Sequence, residues 1–301
     1  MDWCVRKEKT MPAYITHYTC GILNYRDLKN GNVKDMMKRQ PRAYCVGLAG
    51  PDVFFYDFFD LIRPGISIGT MLHEKNTGLF LKNLFLCANS FTGKQKEIAL
   101  SYFIGFVGHY MLDCNAHPLV YEVTGNDTKK NLAAHFRYEG AMDVYIAREF
   151  LRRDVAKISA PRLTHLKRRE EATIKRLLKS ALNRTYQGRH PVSYLQISVN
   201  FFCYHAITFL IKDDSGIREK LYGPVEKRLL GFSFAAALFV NHNTYDVTKT
   251  DYLMFRERFK QGLQDFEACM SVLEEVLQEK VGKQKLYDCI GSRSYHTGED
   301  V

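Results

Sequence analysis

Apolar residues recur along this chain with the three- and four-residue spacing of helices. Residues 97–117 are apolar on nearly every side, which is typical of a helix at the centre of a bundle. Pro118 disfavours the helical conformation of the residue before it, so we expect this helix to end at His117. A second helix is predicted over about residues 131–154, with residues 120–130 as the connecting loop.

The rest of the chain continues the helical pattern. Residues 193–212 are strongly apolar, whereas residues 282–301 hold glycines and polar residues and are predicted to form an irregular tail. We find no alternating strand pattern and no Asn-Gly hairpin between strands. The sequence therefore predicts an all-α fold, a single compact helical bundle over residues 11–281, preceded by an extension of residues 1–10. A core-facing stripe with helical spacing is formed by Phe259, Leu263, Phe266, Met270, Leu273 and Leu277.

Composition limits the class of protein. The chain has 301 residues, 46% of them hydrophobic, which is enough to bury a substantial core. Eight cysteines are scattered without a Cys-x-x-Cys pair, which excludes a cysteine zinc knuckle. Because most of them have apolar neighbours and a chain of this size needs no disulfide framework, we expect reduced, buried thiols in a cytosolic protein.

The N-terminal sequence is charged and lacks an apolar core, so it does not resemble a secretory signal. The most apolar run, residues 98–112, is shorter than the about 20 residues that a membrane span needs. We therefore expect no transmembrane segment and a cytoplasmic location.

Positive charge is concentrated in one segment. The net charge is +10, and residues 148–184 contain twelve Lys or Arg but only four Asp or Glu. One interpretation is a surface for an anionic membrane or for nucleic acid. The favoured interpretation is a solvated helical face, because aromatic residues are not interleaved as a single-strand-binding surface would need.

Two neighbouring segments carry metal-ligand spacing. His109, Asp113 and His117 follow one another at four-residue intervals, and His135 is followed by Glu139 at the same interval. Residues four apart share one face of a helix, and imidazole and carboxylate are the usual ligands of catalytic zinc. Asp143 continues the second series, and two carboxylates so placed repel each other unless a cation lies nearby. Asp143 is therefore a candidate partner of a metal ligand.

Three upstream residues complete the candidate set, although each alone is weak. His17, Asp52 and His73 lie in apolar surroundings or in a turn, where a lone histidine is more often a core residue and Asp after Gly-Pro is more often a cap. Together with the helical motifs they resemble the zinc-dependent phospholipase C family, which shares its fold with S1/P1 nucleases. The resemblance rests on Thr16-His17, Gly50-Pro51-Asp52 with aromatics after it, His73, the His109-to-Pro118 run and the His135–Glu139 pair.

The resemblance implies two or three zinc ions in a helical cleft. Asp52, His73, His109 and Asp113 would hold the first ion, and His117, His135 and Glu139 the second. His17 would join a bridging Asp113 at the third. Secreted members complete that third site with an N-terminal tryptophan. Here Trp3 follows Met1 and Asp2, and a start at Met11 would not restore the tryptophan, so the third site is absent, completed differently or filled by another cation.

The functional hypothesis is phospholipase C-like hydrolysis of a phospholipid or related phosphodiester, in which Asp52 orients a metal-activated water. An S1/P1-type nuclease or phosphatase is the alternative within enzymes, and a non-catalytic protein with structural metals is the alternative outside them. A phospholipase needs an apolar rim, a nuclease needs a base pocket and a basic groove, and catalytic metals need a side open to solvent. For the aromatics Phe54, Phe55 and Tyr56, a core role is favoured over a role in lining a pocket.

Overall fold

The computed structural model describes residues 14–56, 67–125, 128–187, 192–211, 217–230 and 247–301. Over these residues the regular structure is helical, apart from one isolated bridge between Arg293 and Asp300. The predicted all-α fold is confirmed. The helices are α1 (Tyr14–Asp27), α2 (Asn32–Arg39), α3 (Pro41–Gly47), α4 (Ile68–Glu74), α5 (Thr77–Ser90), α6 (Gly93–Thr124), α7 (Thr128–Ile146), α8 (Ala160–Leu163), α9 (Arg168–Tyr186), α10 (Tyr194–Leu210), α11 (Ile217–Leu230), α12 (Lys249–Leu277) and α13 (Lys283–Ile290), with short 3-10 turns at Gly50–Tyr56 and Val155–Lys157 and a π turn at Ala147–Leu151.

The centre of the fold is α6, which is buried along most of its length and packs against α3 and α12. Glycine residues allow α3 and α6 to approach each other closely. A Cβ atom on Gly105 would lie 2.2 Å from the carbonyl oxygen of Tyr44, and one on Gly47 would lie 2.3 Å from that of Tyr102. Because no side chain separates them, the backbones of α3 and α6 touch.

The predicted end of α6 at His117 is wrong, because the helix continues through Pro118 to Thr124. Proline removes one helical N–H donor, but it does not prevent the next turn when packing compensates. Leu119 and Val120, which follow the proline, are buried in the core and hold that turn in place. The connecting loop is consequently shorter than predicted, since α7 begins at Thr128.

The second predicted helix, over residues 131–154, is confirmed only in part. Regular α-helix ends at Ile146, and the chain continues as a π turn over Ala147–Leu151. Arg152 then adopts a left-handed conformation with φ of 52°. A left-handed residue is a common way to end a helix, and sequence spacing alone does not reveal it.

The prediction of an irregular tail over residues 282–301 is wrong for residues 283–290, while the residues after them form turns and one isolated bridge. Lys283–Ile290 forms α13, which packs against α12 and α5. Leu286, Ile290 and Tyr295 are buried in the core, and their burial orders a segment whose composition alone suggested a loop. The predicted boundary at residue 10 lies outside the described residues.

The stripe predicted on α12 faces the core as expected. Phe259, Phe266, Met270 and Leu273 are fully buried, and Leu263 and Leu277 pack partly buried against the core. In the part of the chain that the structure describes, no helix is both long and apolar enough to span a membrane.

Candidate metal centre

Five elements bring the eight predicted site residues together. They are α1, the turn at Gly50–Tyr56, α4, α6 and α7. The potential ligand atoms fall into three groups, and within each group they lie within 4.8 Å of one another. The groups are Asp52 with His73 and His109, His17 with His109 and Asp113, and His117 with His135 and Glu139.

The first group joins the turn to α4 and α6. Asp52 Oδ1 lies 3.2 Å from His73 Nε2 and 3.9 Å from His109 Nε2. The other ring nitrogens face backbone carbonyls: His73 Nδ1 is 2.7 Å from Gly69 O, and His109 Nδ1 is 3.0 Å from Leu48 O. Since a carbonyl only accepts, each Nδ1 carries a proton and donates it. Each Nε2 therefore lies on the side of its ring that faces the carboxylate, where a metal-binding histidine offers its lone pair to the metal.

Gly50 allows the turn to bring Asp52 close to α6. Its φ of +51° lies in the left-handed region that favours glycine, and a Cβ atom there would be 2.4 Å from His109 Cδ2. A larger residue at this position would displace the His109 ring. The Gly-Pro-Asp motif thus serves the site through its glycine as well as its aspartate.

Asp113 belongs to the second group and also contacts a histidine of each of the other two groups. Its Oδ1 is 3.1 Å from His17 Nε2, and its Oδ2 is 2.9 Å from His109 Nε2 and 3.4 Å from His117 Nδ1. The His17 ring also stacks on the His109 ring, with 4.0 Å between centroids. The predicted bridging role of Asp113 requires this central position. Trp3 and Met11, on which completion of the third site depends, lie outside the described residues.

The last group is centred on Glu139. Its Oε1 lies 3.1 Å from both His117 Nε2 and His135 Nε2. Burial raises the pKa of Glu139, but the charge of His135 and hydrogen bonds from His117 and His135 outweigh it and lower the pKa to about 2. Burial likewise lowers the pKa of His117, but Asp113 and Glu139 outweigh it and raise the pKa to about 10. Without a metal, protonated imidazole therefore balances these carboxylates.

Asp143 contacts the first turn of α1. It accepts hydrogen bonds from the Thr16 backbone N–H at 2.7 Å, the Thr16 hydroxyl at 2.6 Å and, more weakly, the Ile15 N–H at 3.4 Å. These bonds satisfy donors in the first turn of α1 and so fix the position of His17. Burial raises the pKa of Asp143 to about 7.

The donor set fits zinc. Two atoms bound at about 2.0–2.1 Å to one tetrahedral zinc ion lie about 3.3 Å apart. The nitrogen–oxygen separations run from 2.9 Å (His109 to Asp113) to 3.9 Å (His109 to Asp52). Among the described residues, four buried nitrogen or oxygen atoms of the candidate ligands lack a partner with hydrogen-bond geometry, a state that costs about 1–3 kcal/mol each and that a cation would relieve at the atoms it binds. They are His17 Nδ1, His109 Nε2, Asp113 Oδ2 and Glu139 Oε2.

The site opens to solvent at two of its carboxylate and imidazole groups. The Asp52 side chain is 15% exposed and that of His117 is 12% exposed, while the other six candidate ligands are more deeply buried. Phe54 and Phe55 are buried core residues, as predicted, and the Phe55 ring packs 4.7 Å from the His73 ring. The Tyr56 side chain is outside the described part.

Two residues of the C-terminal segment also contact the centre, although no motif in the sequence points to them. The carbonyl oxygen of Tyr295 faces His117 Nδ1 at 3.2 Å, and the His296 ring stacks on the His73 ring at 5.2 Å. His296 belongs to no ligand spacing, so the sequence alone does not identify it. The contact between Tyr295 and His117 joins residues 178 positions apart, which no local pattern reveals.

Comparison with known proteins gives one match. A family model described as zinc-dependent phospholipase C matches residues 14–192, which is more than half of the chain. No curated protein and no solved structure matches the chain. The matched range contains all eight candidate ligands but neither Tyr295 nor His296.

Proposed function

The chain belongs to the zinc-dependent phospholipase C family, and we propose that it hydrolyses a phospholipid headgroup ester at the three groups around His109 and Asp113. The observation that carries this proposal is the linked arrangement of the groups, which spaces nitrogen and oxygen donors as zinc requires and leaves Asp52 partly open to solvent. An open side distinguishes a catalytic zinc site from a closed structural one.

Three of the side chains, those of His73, His109 and Asp52, have distinct parts in the proposed reaction. Zinc, when bound, neutralises charge on the phosphoryl oxygens and lowers the pKa of water toward about 7. Hydrogen bonds to Gly69 and Leu48 keep the Nε2 atoms of His73 and His109 directed into the site. Asp52, the most exposed of the candidate carboxylates, orients the attacking water and accepts its proton.

An exposed apolar face supports a lipid substrate over nucleic acid. The inner face of α10 packs on the turn that carries Asp52, but its outer face exposes 73% of Phe202, 65% of Phe209 and 64% of Leu195. Apolar residues of α11, among them Leu221 and Val225, are also exposed. Apolar surface of this kind marks a site of interaction with a membrane or a protein.

Basic residues of α9 lie beside this face. Lys179 Nζ is 4.2 Å from the centre of the Tyr194 ring, and Lys175 Nζ is 2.9 Å from the Ser198 hydroxyl. Apolar residues beside lysines suit the boundary between acyl chains and anionic headgroups. We therefore propose that α10 rests on an anionic phospholipid surface.

The test uses zinc-loaded protein and four substrates: phospholipid in anionic vesicles, a short-chain soluble phospholipid, an oligonucleotide and a phosphomonoester. We expect both phospholipids to be cleaved to diacylglycerol and a phosphorylated headgroup, and Asp52→Asn to lower kcat by about 100-fold or more. Cleavage of the oligonucleotide alone would indicate a nuclease. Bound zinc with no cleavage of any substrate would indicate structural metals.

Paired substitution of Phe202 and Phe209 by serine tests the lipid surface. We expect the change to lower activity on vesicles about tenfold or more, because it removes two apolar side chains from the membrane contact. Activity on the soluble phospholipid should be unchanged. Leu79→Ser is the matched control, since Leu79 is an exposed apolar residue on α5. Equal loss on both phospholipids would contradict a role at the membrane.

A further inference from the structure

The chain after α13 folds back over the candidate metal centre and is held there by hydrogen bonds. The Tyr295 backbone N–H donates to the carbonyl of His73 at 3.1 Å, while the Tyr295 carbonyl accepts from His117 Nδ1 at 3.2 Å. The Arg293 N–H donates to the Tyr110 hydroxyl at 2.7 Å. The segment is thus fixed to α4 and α6 on both sides of the centre.

These hydrogen bonds place His296 between two of the ligand groups. Its ring stacks on His73 of the first group, with 5.2 Å between centroids and 26° between planes. Its ring also meets the edges of His117, at 6.2 Å, and of Tyr121, at 5.5 Å. The ring therefore lies between His73 of the first group and His117 of the third.

His296 is the most exposed imidazole of this cluster among the described residues. It exposes 25% of its side chain, compared with 12% for His117 and 1% for His73. A bound substrate enters from the solvent side, so it meets His296 before the buried ligands. Imidazole always presents at least one N–H donor, and phosphoryl oxygens are strong acceptors.

Neighbouring residues orient the His296 ring, but the contact of its Nδ1 with Glu74 is too long for a hydrogen bond. Its Nδ1 lies 3.7 Å from Glu74 Oε1, which is beyond hydrogen-bond distance. The backbone N–H of His296 donates to the Ser294 hydroxyl at 3.1 Å, which fixes the start of the side chain. Its nitrogens belong to none of the three groups of potential metal ligands. The residue is thus placed beside the centre and not within a ligand group.

We propose that His296 binds substrate by donating a hydrogen bond to a phosphoryl oxygen of the ester held at the metal centre. This inference rests on the proposed function. It extends that function to a residue outside the range that the family model matches. The residue that orients the phosphate thus comes from the C-terminal segment, while the candidate ligands all come from the matched range.

The experiment compares zinc-loaded wild type with His296→Ala and His296→Gln. His165→Ala is the matched control, because His165 is exposed and does not belong to a ligand group. Three quantities are measured for each protein: zinc per chain, affinity for inorganic phosphate by calorimetry, and kcat and KM on the soluble phospholipid. Thermal unfolding shows whether each variant folds.

We expect His296→Ala to keep its zinc and its fold but to bind phosphate about tenfold more weakly, which corresponds to the loss of one hydrogen bond to a charged group. His296→Gln retains an N–H donor and should recover part of the affinity. His165→Ala should equal wild type.

Three results would overturn the inference. Unchanged phosphate affinity in His296→Ala would show that His296 makes no hydrogen bond to phosphate. The same conclusion would follow if the wild-type protein held zinc but bound no phosphate. Loss of zinc from a folded His296→Ala would make the residue a ligand instead. Failure of the proposed function has a different signature, namely phosphate binding that depends on His296 without cleavage of any ester.

Discussion

At the scale of single residues, Asp143 illustrates how burial controls the chemistry around the centre. Its carboxyl group accepts hydrogen bonds from Ile15 and Thr16 and so positions the turn that precedes His17. Burial outweighs these bonds and raises its pKa to about 7. In the metal-free protein, Asp143 is therefore half-protonated near neutral pH, whereas an ordinary aspartate is ionised.

Because of this pKa, the contribution of Asp143 to the stability of the metal-free protein falls as the pH rises. The folded-state pKa of Asp143 lies above its unfolded value, so its contribution is fully present below about pH 4 and is lost as pH rises through about 7. Asp143→Asn removes this titration. We expect the unfolding free energy of Asp143→Asn, measured by urea unfolding, to rise relative to that of the wild type between pH 5 and pH 7. A difference that does not change with pH would contradict the account.

At the scale of elements, the local contacts were predictable and the distant ones were not. The four-residue spacing placed His109, Asp113 and His117 on one face of α6 because such residues are neighbours wherever a helix forms. The extension of α6 beyond Pro118 depends on burial of Leu119, which local propensity does not express. Composition failed in the same way for the C-terminal segment, whose order comes from packing against α5 and α12.

Because the backbones of α3 and α6 touch, we expect the addition of one methyl group between them to destabilise the fold. Gly105→Ala should lower the free energy of unfolding by about 1–3 kcal/mol, because its Cβ would lie 2.2 Å from Tyr44 O and the helices would have to separate. Gly282→Ala is the control, since nothing lies within 4 Å of its Cβ and its φ of −72° is ordinary. Urea unfolding measures both, and equal effects would show that α3 and α6 do not constrain each other.

At the scale of the whole molecule, the candidate centre links elements from both ends of the chain. Its candidate ligands come from α1, α4, α6, α7 and the Asp52 turn, while Tyr295 and His296 reach it from the C-terminal segment. Upstream residues such as His17 were placed by resemblance to a family and not by spacing, because their contacts with α6 form only in the folded chain. A metal ion bound by these candidate ligands would join the helices that carry them and so stabilise the bundle.

The zinc content of the protein shows whether the three groups of side chains bind metal. Elemental analysis of the purified, zinc-reconstituted protein should give about two to three zinc ions per chain. His109→Ala should lose more zinc than His135→Ala, because His109 belongs to two ligand groups and His135 to one. His165→Ala should retain the wild-type content. A wild-type protein without zinc after reconstitution, or equal zinc in all four proteins, would contradict the account.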